Sequence, residues 1–350
     1  MKIRTLLVDS SYLLKRSFNG AKDTSTAKFG HIGGLYSFLT TVRKLIKEHK
    51  INKVVLAWDG QNGGVYRHHI DAAYKANRKN KSWHGKIEMN EVELRREKEK
   101  EESILKQRQR IKAYAEDLFL RQIEVDDVEA DDLIAAYCAQ YNNKEEIFLF
   151  TNDRDFSQLL DLNITILFAN IEQPVTRTNY FFNFGYHFSN ALIMKIISGD
   201  VADNIEGIHG IKEDTLLKYF PDMKYKHFTV REICQKADEI NKERIANKKK
   251  PLKVFENLLN NVKRLRMNYK LINLKEPFLN EQAREELAQL EMPLEPTNRG
   301  SKNLYKMMLE DEFLTIYNST FPNYVEPFYT VITNEQDLLK EYYKNNKGNL

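Results

Sequence analysis

Four short, mostly apolar runs stand out along the chain. They cover residues 3–8 (IRTLLV), 53–58 (KVVLAW), 146–151 (EIFLFT) and 164–168 (ITILF). Runs of this length are typical of strands buried on both faces, as in a parallel sheet covered by helices. The stretches between them, 34–49 and 128–139 among others, have apolar residues at helical spacing. This alternation predicts an α/β fold with a twisted, mostly parallel sheet flanked by helices.

The rest of the chain follows other patterns. Residues 60–87 are polar and contain several glycines; we call them the basic arm. Residues 88–120 are highly charged and predict a long, exposed helix. From about residue 186 the pattern is helical without a clear strand. Residues 276–300 contain three prolines and predict an extended linker.

The composition is that of a globular protein. Of the 350 residues, 42% are hydrophobic, which is enough for a sizeable core. The net charge is only +4, but the signs are segregated: residues 124–132 hold six acids, whereas 72–87 hold five Lys or Arg and no acid. No apolar run approaches the ~18 residues of a membrane span, and Asp9 comes too early for a signal-peptide core. Two cysteines cannot form a disulfide framework, so we expect a reducing cytoplasm and no membrane association.

Acidic residues follow three of the predicted strands. Asp9 follows the first strand, Asp59 follows the second, and Asp153 and Asp155 follow the third. In open α/β sheets the functional crevice lies at the carboxyl ends of the strands. We therefore expect these acids to converge on one edge of the sheet.

Two further acidic groups lie near predicted helix ends. Glu129, Asp131 and Asp132 lie at the start of the helix that precedes the third strand. Asp200 and Asp203 are three residues apart, which on one helical turn places both carboxylates on the same side. Any one of these acids alone is more often a helix cap or a turn residue. The common placement of all the groups favours a shared site.

So many carboxylates cannot all stay ionised unaided in one crevice. Two like charges ~4 Å apart at an effective dielectric of ~20 repel by ~4 kcal/mol. Either several carboxyl groups take up protons, or divalent cations neutralise them. An oxygen ligand set without Cys or His suits Mg²⁺ or Mn²⁺ rather than Zn²⁺. The set is large enough for two ions ~3.5–4 Å apart, the arrangement that hydrolyses phosphodiesters with an activated water.

The basic arm can bring an anion to such a site. It interleaves aromatic and cationic residues, namely Tyr66, Arg67, Tyr74, Lys75, Arg78, Lys79 and Lys81. Lys and Arg bind phosphates, and aromatic rings stack on unpaired bases. A stretch like this, taken alone, is more often a solvated surface. Its place beside the predicted acidic crevice favours nucleic-acid binding.

A glycine loop follows the last acidic pair. Gly207 and Gly210 lie between helices predicted near 189–198 and 214–220. Glycines permit tight turns there, and a following helix can offer backbone N–H groups to a phosphate. The spacing alone is weak evidence, and the adjacent acids strengthen it.

Six motifs together resemble the flap endonuclease or 5′-nuclease family, which includes the 5′-nuclease domains of bacterial DNA polymerases and phage flap endonucleases. The motifs are LLVDSS at 6–11, AWDG at 57–60, YKANR at 74–78, VEADD at 128–132, TNDRDF at 151–156 and GDVADNIEGIHGI at 199–211. They cover roughly residues 1–220 in the family's order and spacing. The chain is most similar to the phage branch, and residues 255–310 more weakly resemble the ribonuclease H of T-even phages.

The resemblance implies a PIN-like α/β core and a helical helix–loop–helix (H3TH) DNA-binding region. The positions that match the family's metal carboxylates are Asp9, Asp59, Glu129, Asp131, Asp132, Asp153, Asp155, Asp200 and Asp203. Lys75 and Arg78 match arch residues that stabilise the transition state, and Asp155 joins them as a catalytic residue. The residues expected to bind nucleic acid are Arg67, Tyr74, Lys79, Lys81, Gly207, Gly210 and Lys212.

The glycine loop departs from the family pattern. Many relatives have Gly-Ile-Gly-x-Lys after the second loop glycine, whereas this chain has Gly210-Ile211-Lys212-Glu213-Asp214. Lys212 therefore replaces a glycine, and Asp214 falls where a basic residue is common. We expect Lys212 to compensate by contacting phosphate directly. The family also implies a K⁺ ion at the Gly207–Gly210 loop.

The residues and the resemblance together predict a Mg²⁺-dependent, structure-specific 5′-nuclease. The resemblance implies that it removes RNA primers and DNA ends or flaps in the 5′→3′ direction. Two Mg²⁺ ions are expected, with Mn²⁺ as a substitute. The expected partners are branched, flapped or nicked DNA, RNA–DNA hybrid, and a single-strand-binding protein or sliding clamp. We expect a monomer in the cytoplasm, and the phage resemblance points to a phage-infected bacterium.

Two alternative functions stay open. One is a PIN-like ribonuclease that cuts single-stranded RNA, against which the basic arm and the H3TH region argue. The other is a non-catalytic binder of forked DNA, which the intact carboxylates disfavour.

The predicted domains are a catalytic domain at 1–185 with an insertion at 60–120, the H3TH region at 186–275 and a C-terminal extension at 276–350.

Overall fold

The structure is a computed structural model that describes residues 2–21, 24–79, 90–296, 299–317 and 319–346. The strands are β1 (Ile3–Asp9), β2 (Ser25–Thr26), β3 (Gly30–His31), β4 (Lys53–Ala57), β5 (Arg121–Ile123), β6 (Glu145–Thr151), β7 (Thr165–Phe168), β8 (Gly199–Asp200) and β9 (Ile205–Glu206). The first helices are α1 (Ser10–Gly20), α2 (Gly33–His49), α3 (Val65–Ile70), α4 (Ala76–Lys79), α5 (Glu91–Asp117), α6 (Ala130–Tyr141), α7 (Tyr180–Phe184), α8 (Ala191–Ser198) and α9 (Glu213–Tyr219). The later helices are α10 (Val230–Ala246), α11 (Lys253–Asn260), α12 (Val262–Ile272), α13 (Glu281–Gln289), α14 (Ser301–Glu310), α15 (Phe313–Tyr317), α16 (Phe321–Val325) and α17 (Tyr329–Asn346).

The chain forms two compact units. Unit 1 consists of the described residues within Met1–Gly63, Glu88–Asn152 and Leu279–Leu350. Unit 2 consists of those within Gly64–Ile87 and Asp153–Phe278. These units cut across the predicted boundaries, because the stretch after Asn152 clusters with the helical region and the C-terminal extension clusters with unit 1. The division into catalytic, duplex-binding and C-terminal parts stays a functional prediction.

Unit 1 is built on a parallel sheet with the strand order β5–β4–β1–β6. The central strand β1 pairs in parallel with β4 and β6, and β4 pairs in parallel with β5. Leu6, Leu7 and Val8 of β1 are fully buried, as expected for a central strand covered on both faces. The strands predicted at 3–8, 53–58 and 146–151 are confirmed. β5 was not predicted because three residues are too short to form a recognisable apolar run.

The helices of unit 1 follow the predicted apolar spacing. In α2, Leu35, Phe38 and Val42 are fully buried, and α6 packs against β1 and β4. The charged stretch forms α5, whose N-terminal turn is capped by Asn90 in a capping box with Glu93. The first half of α5 is mostly exposed and its second half is partly buried, so the prediction of a long, exposed helix is confirmed only in part. None of the described helices combines the length and apolar character needed to cross a membrane.

The prediction of an extended linker over 276–300 is wrong, because helix α13 lies within it. Asn280 caps this helix by accepting a hydrogen bond from the amide of Ala283 at 2.8 Å. Ala283 and Leu287 are buried on one face. The prolines that suggested a linker lie on either side of the helix, where they interrupt no helical hydrogen bond.

The C-terminal helix α17 is joined to the sheet edge of unit 1 by a buried ion pair. The Arg121 guanidinium of β5 donates to both carboxylate oxygens of Glu335, at 2.8 and 2.5 Å. It also donates to the carbonyls of Leu290 and Met292 after α13. Both charged side chains are almost fully buried, so each is compensated by the other.

Unit 2 is mainly helical in its described part. The predicted strand at 164–168 is present as β7, and the predicted helices near 189–198 and 214–220 are present as α8 and α9. The antiparallel pair β8–β9 joins α8 to the glycine loop. The sequence predicts no clear strand after about residue 186. The strands β8 and β9 were not detectable, because two residues are too few to form a sequence pattern.

Candidate active site

The ends of β1 and β4 bring the first two acids of unit 1 to one edge of the sheet. Asp9 pairs in register with Ala57, two residues before Asp59. Asp9 Oδ1 accepts a hydrogen bond from the Tyr12 amide and Oδ2 accepts one from Thr151 Oγ1, both at 3.1 Å. Because Thr151 ends β6, three strands contribute to the surroundings of Asp9. This is the convergence on the carboxyl edge that the sequence predicts.

Helix α6 begins at the same edge. Asp59 Oδ1 accepts a hydrogen bond from the Ala130 amide at 2.9 Å and so caps the first turn of α6. Glu129 occupies the N-cap position but makes no side-chain cap bond. Asp131 and Asp132 lie in the first turn, and Asp132 is buried. The five acids that the sequence predicts in unit 1 are therefore collected around the ends of adjacent strands and one helix.

Glycines hold the loop after Asp59 against the acidic loop before α6. A Cβ on Gly60 would lie 1.7 Å from the Val125 carbonyl oxygen. The Gly60 amide donates to the Val128 carbonyl at 3.2 Å, and the Asp127 amide donates to the Gln61 carbonyl at 2.7 Å. Only a residue without a side chain permits this approach. Gly60 therefore helps to fix the position of Asp59.

Unit 2 carries a second acidic group at the start of a 3₁₀ helix over Arg154–Leu162. Asp153 caps this helix, because its Oδ1 accepts a hydrogen bond from the Asp155 amide at 2.8 Å. Burial raises the pKa of Asp155 to about 7, and the charge of Asp153 adds to this effect. The carboxyl groups of Asp153 and Asp155 thus lie close together, and that of Asp155 is poorly solvated.

Lys195 of α8 contacts two of the predicted site residues, although no sequence pattern indicates this. Its ammonium lies 2.6 Å from Asp155 Oδ1 and also contacts Asp200 Oδ2. Burial works against the charged lysine, but the two carboxylates raise its pKa above the ordinary value. One lysine in an apolar helix gives no sequence signal for this contact, because the carboxylates come from distant or non-helical positions.

Asp200 and Asp203 do not share one helical turn, and that prediction is wrong. Helix α8 ends at Ser198, and Gly199 has φ +76°, which ends the helical geometry. Asp200 lies in β8 and accepts a hydrogen bond from the Ala202 amide at 2.8 Å, whereas Asp203 lies in the following turn. Asp200 contacts Lys195, and Asp203 lies 3.9 Å from the ammonium of Lys75.

Hydrogen bonds join the described start of the basic arm to this turn. The Lys75 amide donates to the Asp203 carbonyl at 2.8 Å, and Asn204 Nδ2 donates to the Ala73 carbonyl at 2.7 Å. Asn77 Nδ2 donates to the Val201 carbonyl at 3.0 Å. The turn that carries Asp203 therefore also positions Lys75, whose backbone has a left-handed conformation (φ 52°).

Two residues predicted to bind nucleic acid are buried instead. Arg67 is buried, and its Nε donates to the Leu271 carbonyl at 2.9 Å, which links α3 to α12. The Tyr74 ring packs with Ile205, Leu271 and Ile272, so it has no free face for a base. Interleaved aromatic and cationic residues look the same in a sequence whether they face solvent or anchor a short helix. Burial therefore leaves neither Arg67 nor Tyr74 exposed for direct contact with nucleic acid.

The other arm residues lie at the limit of the described structure. The backbone of Arg78 and Lys79 belongs to α4, but their side chains and all of Lys81 lie outside the described residues. His68 and His69 are exposed.

The glycine loop is a tight turn between β9 and α9. A Cβ on Gly207 would lie 2.1 Å from the Ser198 carbonyl oxygen, and Gly210 has φ +83°. Gly207 is therefore required by the close approach of the backbone, and Gly210 is required by its left-handed conformation. Lys212 follows at the start of α9 with its side chain exposed, as a direct phosphate contact requires.

The donor chemistry of both acidic groups fits a hard divalent cation. All the candidate ligands are carboxylates, and among the described residues no three Asp, Glu, His or Cys side chains are already arranged around one metal position. Several of these oxygens already have partners. Those of Asp9 and Asp59 accept hydrogen bonds, and those of Asp155 and Asp200 contact Lys195. Mg²⁺ needs only one or two direct carboxylates because it retains several waters. The chemistry of these donors therefore fits a hard divalent cation that keeps part of its water shell.

Comparison with known proteins identifies the family. Residues 4–185 match the model for the 5′-3′ exonuclease N-terminal resolvase-like domain. A 5′-3′ exonuclease of Mycoplasmopsis pulmonis is 26% identical over 248 residues, covering 70% of this chain and 75% of the relative. A 5′-3′ exonuclease of Halalkalibacterium halodurans is 27% identical over 223 residues, covering 61% of this chain and 67% of the relative.

The fold is similar to that of a phage enzyme. The bacteriophage T5 flap endonuclease, in a pseudo-enzyme–product complex with DNA and metal ions, superposes with a TM-score of 0.60 at 18% identity. The match covers 90% of this chain and 100% of the phage chain. This likeness concerns the fold, and the matched domain spans half of the sequence. The chain therefore belongs to the 5′-3′ exonuclease family of nucleases.

Proposed function

We propose that the protein is a metal-dependent, structure-specific 5′-nuclease that acts both as a 5′→3′ exonuclease and as a flap endonuclease. The observation that carries this proposal is the gathering of Asp9, Asp59 and the acidic start of α6 at the carboxyl edge of a parallel sheet. Functional groups of open α/β sheets lie at that edge. Membership of the 5′-3′ exonuclease family supports the same reaction class.

Nine carboxylates are proposed to hold two Mg²⁺ ions, for which Mn²⁺ can substitute. The set is Asp9, Asp59, Glu129, Asp131 and Asp132 from unit 1 with Asp153, Asp155, Asp200 and Asp203 from unit 2. When bound, the ions activate a water and stabilise the leaving oxygen of a phosphodiester. The metal ions in the structure of the similar T5 enzyme support this part of the proposal.

The cationic residues of the basic arm are proposed to offset negative charge that develops on the phosphate. Lys75 is held beside Asp203 by its backbone amide and by its side chain, which places a cation next to a proposed metal ligand. Lys75 and Arg78 would then stabilise the transition state by a fixed positive charge. Lys79 and Lys81 are proposed to bind the substrate strand.

The helical region of unit 2 is proposed to bind the duplex through its phosphates. Such contacts carry little sequence information, so the enzyme should select its substrate by structure. Gly207, Gly210 and Lys212 are proposed to contact the backbone, with a K⁺ ion at the loop. The proposed substrates are branched, flapped or nicked DNA and RNA–DNA hybrid, including RNA primers in DNA replication.

The proposal extends to the cellular setting. The protein is proposed to act as a monomer in the cytoplasm of a phage-infected bacterium. A single-strand-binding protein or a sliding clamp would recruit it to the replication fork. The bacterial 5′-3′ exonucleases of Mycoplasmopsis pulmonis and Halalkalibacterium halodurans support a bacterial setting.

The Asp155→Asn variant tests the assignment. It removes one proposed metal ligand with little change in shape, so cleavage of a flap substrate should fall to background while binding of the same DNA is kept. Asp161→Asn is the matched control, because Asp161 lies on the same 3₁₀ helix and forms only a half-exposed pair with Lys275. Unchanged turnover in Asp155→Asn would defeat the assignment.

A further inference from the structure

Lys195 contacts two of the proposed metal ligands from a third element. It lies near the end of α8, and its ammonium meets Asp155 of the 3₁₀ helix and Asp200 of β8. About a fifth of its side chain is exposed (21%), against 17% for Asp155 and 12% for Asp200. This is therefore a mostly buried charge cluster in which one cation serves two anions.

Other lysine pairs of unit 2 differ from this one. Lys226–Asp222 and Lys242–Asp238 join residues four apart on the surface, and in each pair both side chains are largely exposed. Exposed pairs of that kind contribute little to stability and tolerate water between the charges. The Lys195 cluster instead links residues from three elements, and with Asp153 it contains three carboxylates and one ammonium.

Lys195 and a divalent ion would compete for the same two carboxylates. Asp155 Oδ1 and Asp200 Oδ2 are the atoms that the ammonium contacts, and carboxylate oxygens are also the preferred ligands of Mg²⁺. The two cations repel each other at such short range, especially where burial reduces screening by solvent. A metal ion that binds these oxygens directly must therefore move the ammonium away.

We infer that Lys195 is an internal counter-cation that holds Asp155 and Asp200 in position and that a divalent metal ion displaces when it binds. The inference rests on the proposed function, because it takes these carboxylates as metal ligands. It gives Lys195 a positioning role, since the residue acts through the ligands and need not touch the substrate. Metal affinity is then set by a competition between two cations and not by the carboxylates alone.

The first test measures Mn²⁺ binding directly. The dissociation constant is determined at one fixed pH by electron paramagnetic resonance of free Mn²⁺, for the wild type, Lys195→Met and Lys275→Met. Methionine keeps the length of the side chain and removes the charge. Lys275→Met is the matched control, because it removes a lysine whose partner Asp161 is outside the proposed site.

Removal of the competing charge should tighten Mn²⁺ binding by ~5-fold or more, within the usual range of coupling between two binding events. Thermal unfolding should show a lower melting temperature for Lys195→Met in EDTA and a larger increase on Mn²⁺ addition than for the wild type. The control should match the wild type in both measurements. An unchanged or weaker Mn²⁺ affinity in folded Lys195→Met would overturn the inference.

A second test needs no variant and covers the case in which Lys195→Met does not fold. The wild-type protein is acetylated briefly with an N-hydroxysuccinimide ester in EDTA or in Mn²⁺, and the modification of each lysine is measured by peptide mass spectrometry. The displaced Lys195 should react faster with Mn²⁺, whereas Lys275 should react equally in both conditions. Equal reactivity of Lys195 in a protein shown to bind Mn²⁺ would contradict displacement. A wild type that binds no Mn²⁺ at all would instead count against the proposed function.

Discussion

Asp155 is a carboxyl group whose surroundings oppose its ionisation. Burial raises its pKa from 3.8 to about 7, and the neighbouring charge of Asp153 acts in the same direction. Between pH 3.8 and about pH 7 the Asp155 carboxyl group is protonated in the folded protein and ionised in the unfolded chain. This group therefore lowers the stability of the metal-free protein as the pH rises through that window.

Asp155→Asn should stabilise the protein in EDTA at pH 8, because the neutral amide avoids the cost of burying a charge. The expected gain is ~1 kcal/mol or more, since one unit of pKa shift corresponds to ~1.4 kcal/mol. Near pH 4 the variant and the wild type should differ little. Thermal unfolding at both pH values measures this, and a variant less stable than the wild type at pH 8 would show that the carboxylate is favoured in the fold.

At the residue scale, the sequence predicts where an acidic residue lies in the fold better than it predicts which side chains surround a given residue. Asp9 and Asp59 are identifiable because a parallel sheet places the residues after its strands at one edge. Lys195 is not identifiable, since its partners are brought to it by elements whose packing the sequence pattern does not encode. The residue types of Arg67 and Tyr74 predict nucleic-acid binding for a similar reason, because residue type alone does not distinguish a buried anchor from an exposed contact.

At the element scale, the loop between β4 and α3 depends on Gly60. A methyl group there would meet the Val125 carbonyl, so Gly60→Ala should shift the loop and the adjacent Asp59. We expect a loss of ~1–3 kcal/mol in unfolding free energy, typical of overpacking, and a fall of ~10-fold or more in cleavage rate. Urea unfolding and a flap-cleavage assay measure the two effects.

Gly20→Ala is the control for this substitution. Gly20 ends α1, and a Cβ at that position has nothing within 4 Å. The control should change stability by no more than ~0.5 kcal/mol and leave cleavage unchanged. Equal behaviour of the two alanine variants would refute the role given to Gly60.

The ion pair between β5 and α17 makes a second element-scale prediction. Glu335→Ala leaves the buried Arg121 guanidinium without its carboxylate, so the free energy of unfolding should fall by ~3–5 kcal/mol. Asp337→Asn is the control on the same helix, because Asp337 forms an exposed pair with Lys340 and the substitution should change stability by less than ~1 kcal/mol. A loss below ~1 kcal/mol for Glu335→Ala in urea unfolding would mean that α17 is held by other contacts.

Helices and strands were predictable from the sequence where a single apolar pattern extends over the whole element. The long strands β1, β4 and β6 and the helices α2 and α6 each bury a continuous apolar set. Helix α13 was missed because flanking prolines suggested a linker, although Ala283 and Leu287 have helical spacing. The turn after α8 was missed because Gly199 ends the helix one residue before Asp200, and a spacing of three then no longer implies a shared face.

At the scale of the whole molecule, the candidate ligands are divided between two discontinuous units. Five of the nine carboxylates belong to unit 1 and four to unit 2. Each unit is assembled from separate stretches of chain, and the linear domain division predicted from the sequence does not follow them. The sequence predicts one shared site for all nine acids. The structure brings acids together within each unit, so the joint action of the two groups on one phosphodiester stays a prediction.

The most direct test of the proposed metal-dependent 5′-nuclease activity is cleavage of a 5′-labelled DNA flap with Mg²⁺ and with EDTA, resolved by product length. The account predicts short labelled products in Mg²⁺ that mark cutting near the junction or stepwise removal from the 5′ end. It predicts none in EDTA, and restored cleavage when Mg²⁺ or Mn²⁺ is added back. Cleavage that persists in EDTA, or an intact flap in Mg²⁺ with folded, DNA-binding protein, would contradict a metal-dependent 5′-nuclease.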